Sequence, residues 1–308
     1  MTPEEIAELR QKRYNGTVVY LKKLHSDLMV LRVKPDFARP PHKPGQYCSL
    51  GLGNWEARTE GCQVETLPEA DLSKVVRRAY SISCSILNGD SLVDVAATDY
   101  LEFYIVLVRE NADGRVPALT PRLFHLKEGD RINIGEKITG MYTLDIVKPT
   151  DNVIFLGTGT GEAPHNYMSW DLLKRGHTGK ILSASCVRFS RDLGYLDTHR
   201  ELMGRYSNYK YLPLTTREAT ITKKVYIQDV ISGGELEEQL GAKLDPAFTH
   251  VFLCGNPKMI GVPTRDKDTG AKHYPTPTGV IEILEQRGFQ ADVSAIKFKG
   301  NVHFEEYW

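Results

Sequence analysis

Phe155-Leu156 runs directly into Gly157-Thr158-Gly159-Thr160-Gly161, and Pro164 then leads into a stretch of helical character. Few local folds accept that order. Closely spaced glycines let another group approach the backbone where a side chain would hold it away, and a following helix adds its N-terminal N–H groups. The segment is therefore either a cradle for a pyrophosphate or the tight strand-to-helix turn of any α/β protein. Both readings place a parallel, doubly wound sheet around it.

The neighbouring texture agrees. Asn152–Leu156, Lys180–Val187, Lys210–Leu214 and Thr249–Cys254 read as short apolar strands, alternating with helical stretches over Pro164–Arg175 and Leu193–Met203. Upstream, the pattern is different. Thr2-Pro3-Glu4-Glu5 starts a short helix to about Arg13. Strands then follow over Thr17–Leu21, Leu28–Val33, Tyr47–Leu52, Ala79–Ile86 and Glu102–Val108, punctuated by Gly and Pro. The fold expected is a leading helix (1–13), an antiparallel β-barrel (14–148) and a doubly wound α/β domain (149–308), with the join near Pro149.

With 308 residues, 41% of them hydrophobic, the chain can build two cores. Lys+Arg and Asp+Glu both total 39, so no net charge draws it to nucleic acid or anionic lipid. The five cysteines, Cys48, Cys62, Cys84, Cys186 and Cys254, are scattered, which points to reduced thiols rather than a metal site or a disulfide scaffold. No apolar run nears the roughly 18 residues of a membrane span, and residues 1–13 carry no signal-peptide h-region. A cytoplasmic monomer without a metal or a membrane is the expectation.

Three more motifs carry chemistry. Arg78-Ala79-Tyr80-Ser81 is either an ordinary strand with an exposed arginine or a flavin site, with Arg78 on the phosphates, Tyr80 stacked on the ring and Ser81 bonded near N5. Cys254-Gly255-Asn256-Pro257 follows a strand, where ligands of α/β sheets gather; the thiol is either a small core residue or a compact neighbour of the reacting rings. Thr216-Arg217 and Lys224-Val225-Tyr226 offer cations and a ring, which suits a 2′-phosphoadenosine or a solvated basic loop.

The succession RAYS, LEFYIVLVRE, GTGTGEAP, TTRE, KKVYIQ, LCGNPKM and a terminal aromatic resembles the ferredoxin–NADP⁺ reductase family over most of the chain. The closing Glu305-Glu306-Tyr307-Trp308 is similar to the bacterial branch, and KVYIQ to the plastid-type nucleotide site. The resemblance implies FAD and NADP(H) as cofactors. It implies that Arg78, Tyr80, Ser81, Tyr104, Ile105, Val106 and Thr120 contact FAD, and that Thr158, Gly159, Thr160 and Gly161 hold the NADP pyrophosphate. It assigns Arg188, Thr216, Arg217, Lys224 and Tyr226 to the 2′-phosphate and adenine. Ser81, Cys254 and Glu305 would serve hydride transfer, and Tyr307 or Trp308 would cover the flavin or its adenine.

The activity so implied is electron exchange between NADP(H), as hydride, and a one-electron carrier such as ferredoxin or flavodoxin. Two alternatives share the same residues: an NADPH-dependent flavin or quinone reductase, and a flavin-bound subunit of a larger assembly without turnover. Lys74, Arg77, Arg265, Lys267, Lys272, Lys297 and Lys299 are either a docking surface for an acidic carrier or ordinary solvated surface charges. The sequence departs from the family pattern at Trp55–Val76, which is longer and more charged, and at 262–279, which reads as an insertion.

Overall fold

The computed structural model describes every residue except Ala112, Lys267, Asp268 and Trp308. The first part of the chain carries α1 (Pro3–Arg13), β1 (Gly16–His25), β2 (Leu28–Pro35), β3 (Tyr47–Gly53), β4 (Val75–Ser81), the short pair β5 (Leu87–Asn88) and β6 (Ser91–Leu92), β7 (Leu101–Val106), α2 (Thr120–Leu123) and β8 (Arg131–Ile134). After it come β9 (Asn152–Thr158), α3 (Glu162–Lys174), β10 (Ile181–Val187), α4 (Leu196–Arg205), β11 (Tyr209–Thr215), α5 (Ile227–Ser232) and α6 (Glu235–Leu240). The last elements are β12 (Thr249–Gly255), α7 (Pro257–Ile260), β13 (Thr264–Arg265), β14 (Lys272–His273), α8 (Val280–Glu285) and β15 (Val302–Glu306). Two compact units result: Met1–Cys84 with Val93–Met141, and Ser85–Leu92 with the chain from Tyr142 onward.

The first unit is a six-stranded antiparallel sheet in the order β4-β3-β8-β1-β2-β7. Just past β4, Ser83 bridges antiparallel to Glu102 of β7, its N–H donating to the Glu102 carbonyl at 2.8 Å. The two end strands thereby meet, and the sheet closes as a barrel, leaving fewer unpaired edges. Val18, Leu31, Val33, Leu50, Phe103 and Ile132 are buried side chains of its strands. The charged segment Trp55–Val76 is tied down by arginines. Arg122, fully buried, meets Glu65 at 2.5 Å, Arg58 meets the same carboxylate at 2.9 Å, and Arg109 donates to the carbonyls of Glu60 and Gly61.

The second unit is a five-stranded parallel sheet in the order β11-β10-β9-β12-β15. Strand placement reverses at β9: the chain goes to β10 and β11 on one side, then to β12 and β15 on the other. Between the carboxyl ends of β9 and β12 lies the switch point where such sheets bind ligands. Ile154 and Leu156 face a core completed by α5, α6 and α8; Val153 and Phe155 face the opposite core with α3 and α4. Period-2 burial on both faces explains why β9 reads as a continuous apolar run.

The expected helices and most expected strands recur with shifted ends. The strand expected over Ala79–Ile86 instead runs Val75–Ser81, because its exposed middle, Arg77-Arg78-Ala79, breaks the apolar periodicity. Beyond the Ser83 bridge the chain leaves the sheet; Ile86 takes a left-handed φ of 63° and is buried in the second unit, together with Tyr142, Leu144 and Val147. The 262–279 segment holds the two-residue strands β13 and β14, paired antiparallel. No helix among the described residues is long and apolar enough to cross a membrane.

Candidate functional site

β9 delivers its last residue, Thr158, to a single 3-10 turn over Gly159–Gly161, and α3 starts at Glu162. Gly159 has a φ of 55°. Gly161 is required by proximity: a Cβ there would lie 2.2 Å from the Cys254 carbonyl oxygen and 2.6 Å from its carbon. Gly255, at φ 121°, is the reciprocal case, since its Cβ would lie 2.3 Å from Thr158 Oγ1. That hydroxyl accepts the Asn256 N–H at 2.7 Å, while Asn256 Oδ1 caps α7 by accepting from the Lys258 N–H at 2.8 Å. The two glycine turns at the switch point are thus pressed together, backbone against backbone. Gly159 is exposed, and Thr160 half-buried.

Beside them, β10 and β11 end in register at Val187 and Thr215. Thr216 Oγ1 donates to the Val187 carbonyl at 3.1 Å, and the Arg217 N–H donates to the Arg188 carbonyl at 2.8 Å. Arg188 and Arg217 are neighbours for this reason, with exposed side chains. Lys224 is exposed, and Tyr226 keeps 46% of its surface accessible at the start of α5. The cluster also contains an acid: Glu218 accepts the Ser190 N–H at 2.5 Å, which lashes the two loops together and holds its carboxyl below the usual range. Arg188 lies 3.6 Å from Asp192.

Cys254 pairs with Glu305 across the β12–β15 ladder, so both point to one face. The thiol is fully buried; burial first, and then Glu305, push its pKa well above the ordinary value, so it is a neutral thiol. The Tyr307 N–H donates to the Gly255 carbonyl at 2.9 Å, and Tyr307 packs against the core that contains Cys254. Trp308 lies outside the described residues.

The flavin candidates lie in the first unit. Arg78 and Tyr80 are two apart on β4, an end strand, and so share a face, opposite Leu50 and Cys48 of β3. Arg78 is exposed, with Nη1 donating to the Arg77 carbonyl at 2.8 Å; Ser81 is buried at the strand's end. Tyr104 and Ile105 are buried in the barrel, and Val106 is half-buried. Thr120 Oγ1 accepts the Val108 N–H at 3.1 Å and lies 3.4 Å from its carbonyl, so this hydroxyl closes a loop. Of the docking cations, Lys74, Lys272 and Lys299 each pair with a carboxylate, and Arg77 donates to Asn133; Arg265 and Lys297 are exposed. Lys267 lies outside the described residues.

Sequence reasoning missed Glu162, His165 and His199, all buried. Glu162 follows the glycine run directly, a signal that was available; the histidines are recognisable only once α3 and α4 are packed on the sheet.

Residues 155–264 match the family model of the oxidoreductase NAD-binding domain. The flavodoxin/ferredoxin–NADP reductase of Escherichia coli (strain K12) is 31% identical over 226 residues, covering 71% of this chain and 76% of that protein. Its namesake in Buchnera aphidicola subsp. Schizaphis graminum is 28% identical over 297 residues, 96% of this chain and 98% of the other. Among solved structures, a ferredoxin NADP⁺ reductase from Neisseria gonorrhoeae with bound FAD and NADP matches with a TM-score of 0.66 at 20% identity, over 95% of this chain and 97% of that one. The Plasmodium falciparum ferredoxin–NADP⁺ reductase with 2′P-AMP matches at 0.64 and 17% identity, over 97% of both chains. The structural likenesses establish a shared fold, and the sequence likeness goes further: the chain belongs to the flavodoxin/ferredoxin–NADP reductase family.

Proposed function

We propose that this chain is an FAD-dependent oxidoreductase that exchanges hydride with NADP(H) and single electrons with ferredoxin or flavodoxin. Its relatives carry that activity in their names. The observation that carries the reading is the close approach of the Gly159–Gly161 turn to Cys254-Gly255 at the switch point of the parallel sheet. Gly159, bared just ahead of the α3 N-terminus, fits a diphosphate, and the exposed Arg188, Arg217, Lys224 and Tyr226 fit a phosphorylated adenosine. The pair Arg78 and Tyr80 on one face of β4 fits a flavin nucleotide, the cation for phosphate and the ring for stacking.

Bound FAD would supply hydride exchange with a nicotinamide and one-electron exchange with a protein carrier. The chain's own tasks are then positional. Residues 14–148, after the leading helix 1–13, hold FAD through Arg78, Tyr80, Ser81, the Tyr104–Val106 strand and Thr120. Residues 149–308 hold NADP(H) through Thr158, Gly159, Thr160, Gly161, Arg188, Thr216, Arg217, Lys224 and Tyr226. Cys254 contributes shape rather than nucleophilicity, because its thiol is kept neutral. Glu305, paired with Cys254 in the ladder, and Ser81 are the groups this reading assigns to holding protons during hydride transfer.

The carrier docks transiently through exposed cations such as Arg265 and Lys297, on a monomer in a reducing, cytoplasmic compartment where five free thiols persist. A flavin absorbance spectrum on the purified protein, with NADPH-dependent ferricyanide reduction, tests the reading. A colourless protein without that reductase activity would overturn it. Turnover confined to free quinones would leave the flavin chemistry standing and replace the protein carrier.

A further inference from the structure

Glu162 is the first residue of α3, immediately after the glycine turn, and only 1% of its surface is accessible. Three donors converge on its Oε1: the Ser185 hydroxyl of β10 at 2.9 Å, the Tyr211 hydroxyl of β11 at 2.8 Å and His199 Nε2 of α4 at 3.1 Å. His199 is oriented in turn by the Tyr209 hydroxyl, 2.8 Å from Nδ1, and its ring stacks on Tyr211 with centroids 4.0 Å apart. Burial alone would push the Glu162 carboxyl up; bonds from His199, Tyr211 and Ser185 outweigh it and hold the group below the usual carboxylate range.

No step of the proposed chemistry uses this carboxylate, and its place is an expensive one. A buried anion needs several donors to offset its desolvation. A diphosphate seated on the adjoining turn would add negative charge beside it. On the β12 side the turn is held by the close approach of Gly161 to the Cys254 carbonyl; toward β10 and β11 it is the Glu162 side chain that reaches across. Gly159 and Gly161 have no side chains, and glycine admits more backbone conformations than any other residue. The Glu162 N–H folds back to the Gly159 and Thr160 carbonyls, which closes the turn but does not tie it to β10 and β11. The side chain supplies that tie, reaching two strands and a helix at once.

We infer that Glu162 is a positioning residue that, through Ser185, Tyr211 and His199, fixes the Gly159–Gly161 turn in the shape that receives the nucleotide's pyrophosphate. The inference rests on the reading of that turn as the NADP(H) site. The polar acceptor at Oε1, rather than the negative charge, is what the three donors require, so an amide at this position retains the anchor.

The test uses the FAD-loaded protein, with NADP⁺ titrated calorimetrically and NADPH-dependent ferricyanide reduction followed at steady state. Glu162→Ala is expected to raise the NADP⁺ Kd and the NADPH KM at least tenfold while kcat stays within twofold. Glu162→Gln is expected to bring both constants back to within about threefold of the parent. A Glu162→Ala protein that is less stable yet has the parental KM would overturn the inference, as would Gln and Ala variants that weaken binding equally. If Glu162→Ala does not fold, the double variant Ser185→Ala/Tyr211→Phe removes two of the three donors and keeps the ring packing. A rise in KM of threefold or more then supports the anchor, and an unchanged KM refutes it. Arg217→Ala separates this inference from the reading beneath it. If Arg217→Ala raises KM and the Glu162 variants do not, only the anchor fails; if neither changes KM, the nucleotide site itself is misplaced.

Discussion

Replacing Gly161 with alanine probes the switch point with one methyl group. The new Cβ would sit 2.2 Å from the Cys254 carbonyl oxygen, where ordinary contact begins at 3.4 Å, so the turn and β12 must separate by the difference, about 1.2 Å. Neither side yields easily. Cys254 is held in the ladder between Gly157 of β9 and Glu305 of β15, and the obstructing atom is backbone rather than a flexible side chain. Overpacking of this kind costs about 1–3 kcal/mol, which at roughly 2–4 °C per kcal/mol lowers Tm by about 2–12 °C. A misplacement near 1 Å in a binding turn is worth up to about a hundredfold in rate or affinity. NADP⁺ affinity is therefore expected to fall at least tenfold, measured by calorimetry, with FAD content unchanged. Gly159→Ala isolates the stability effect: nothing lies within 4 Å of its Cβ, so Tm carries only the penalty of the left-handed φ of 55°, about 1 kcal/mol. A Gly161→Ala protein with parental Tm and parental NADP⁺ affinity would refute the close approach.

Arg217→Ala should raise the NADPH KM strongly and leave the NADH KM nearly unchanged; equal losses with both nucleotides would make Arg217 structural. His165, fully buried beside Phe155 and bonded to the Tyr142 hydroxyl at 2.8 Å, is pushed down by burial to about 3. Its folded pKa lies below the unfolded one, so its stabilising effect is complete above about pH 6.5 and declines as pH falls toward 3, by about 1.4 kcal/mol per pH unit. Chemical denaturation at pH 7 and pH 5 should show that decline, and His165→Phe should remove about one proton's worth of the slope; an unaltered slope would exclude His165 as its source. Burial pushes the thiols of Cys186 to about 11 and Cys48 to about 12, and that of Cys254 well above its ordinary value. Iodoacetamide at pH 8 should therefore label the half-exposed Cys62 in the native protein and all five thiols after unfolding; rapid labelling of Cys254 would contradict its burial.

The sequence makes the parallel sheet plain through β9 and β12, each an apolar run that ends at a glycine turn few folds accept. Gly157–Gly161 and Gly255 could be recognised as a pair only by their order; their mutual contact needs β9 and β12 side by side. The edge strand Val75–Ser81 was masked by its own charges, since an exposed strand carries no period-2 burial signal at Arg77 and Arg78. β15 was missed for a related reason: His303 and Glu305 interrupt the apolar pattern, yet both belong to the sheet. Ile86 and Tyr142–Val147 joined the second unit through packing that no local pattern announces. The Glu162 anchor was hidden more deeply still, because a glutamate reads as a surface residue until Ser185, His199 and Tyr211 surround it.

The most direct measurement of the central claim is a steady-state comparison of NADPH and NADH, each with ferredoxin, flavodoxin and a free quinone as acceptor, on the FAD-loaded protein. NADPH should be strongly preferred, and the protein carriers should turn over faster than the quinone. Equal rates with NADH, or turnover with the quinone and neither carrier, would contradict an enzyme that links NADP(H) to a one-electron protein carrier.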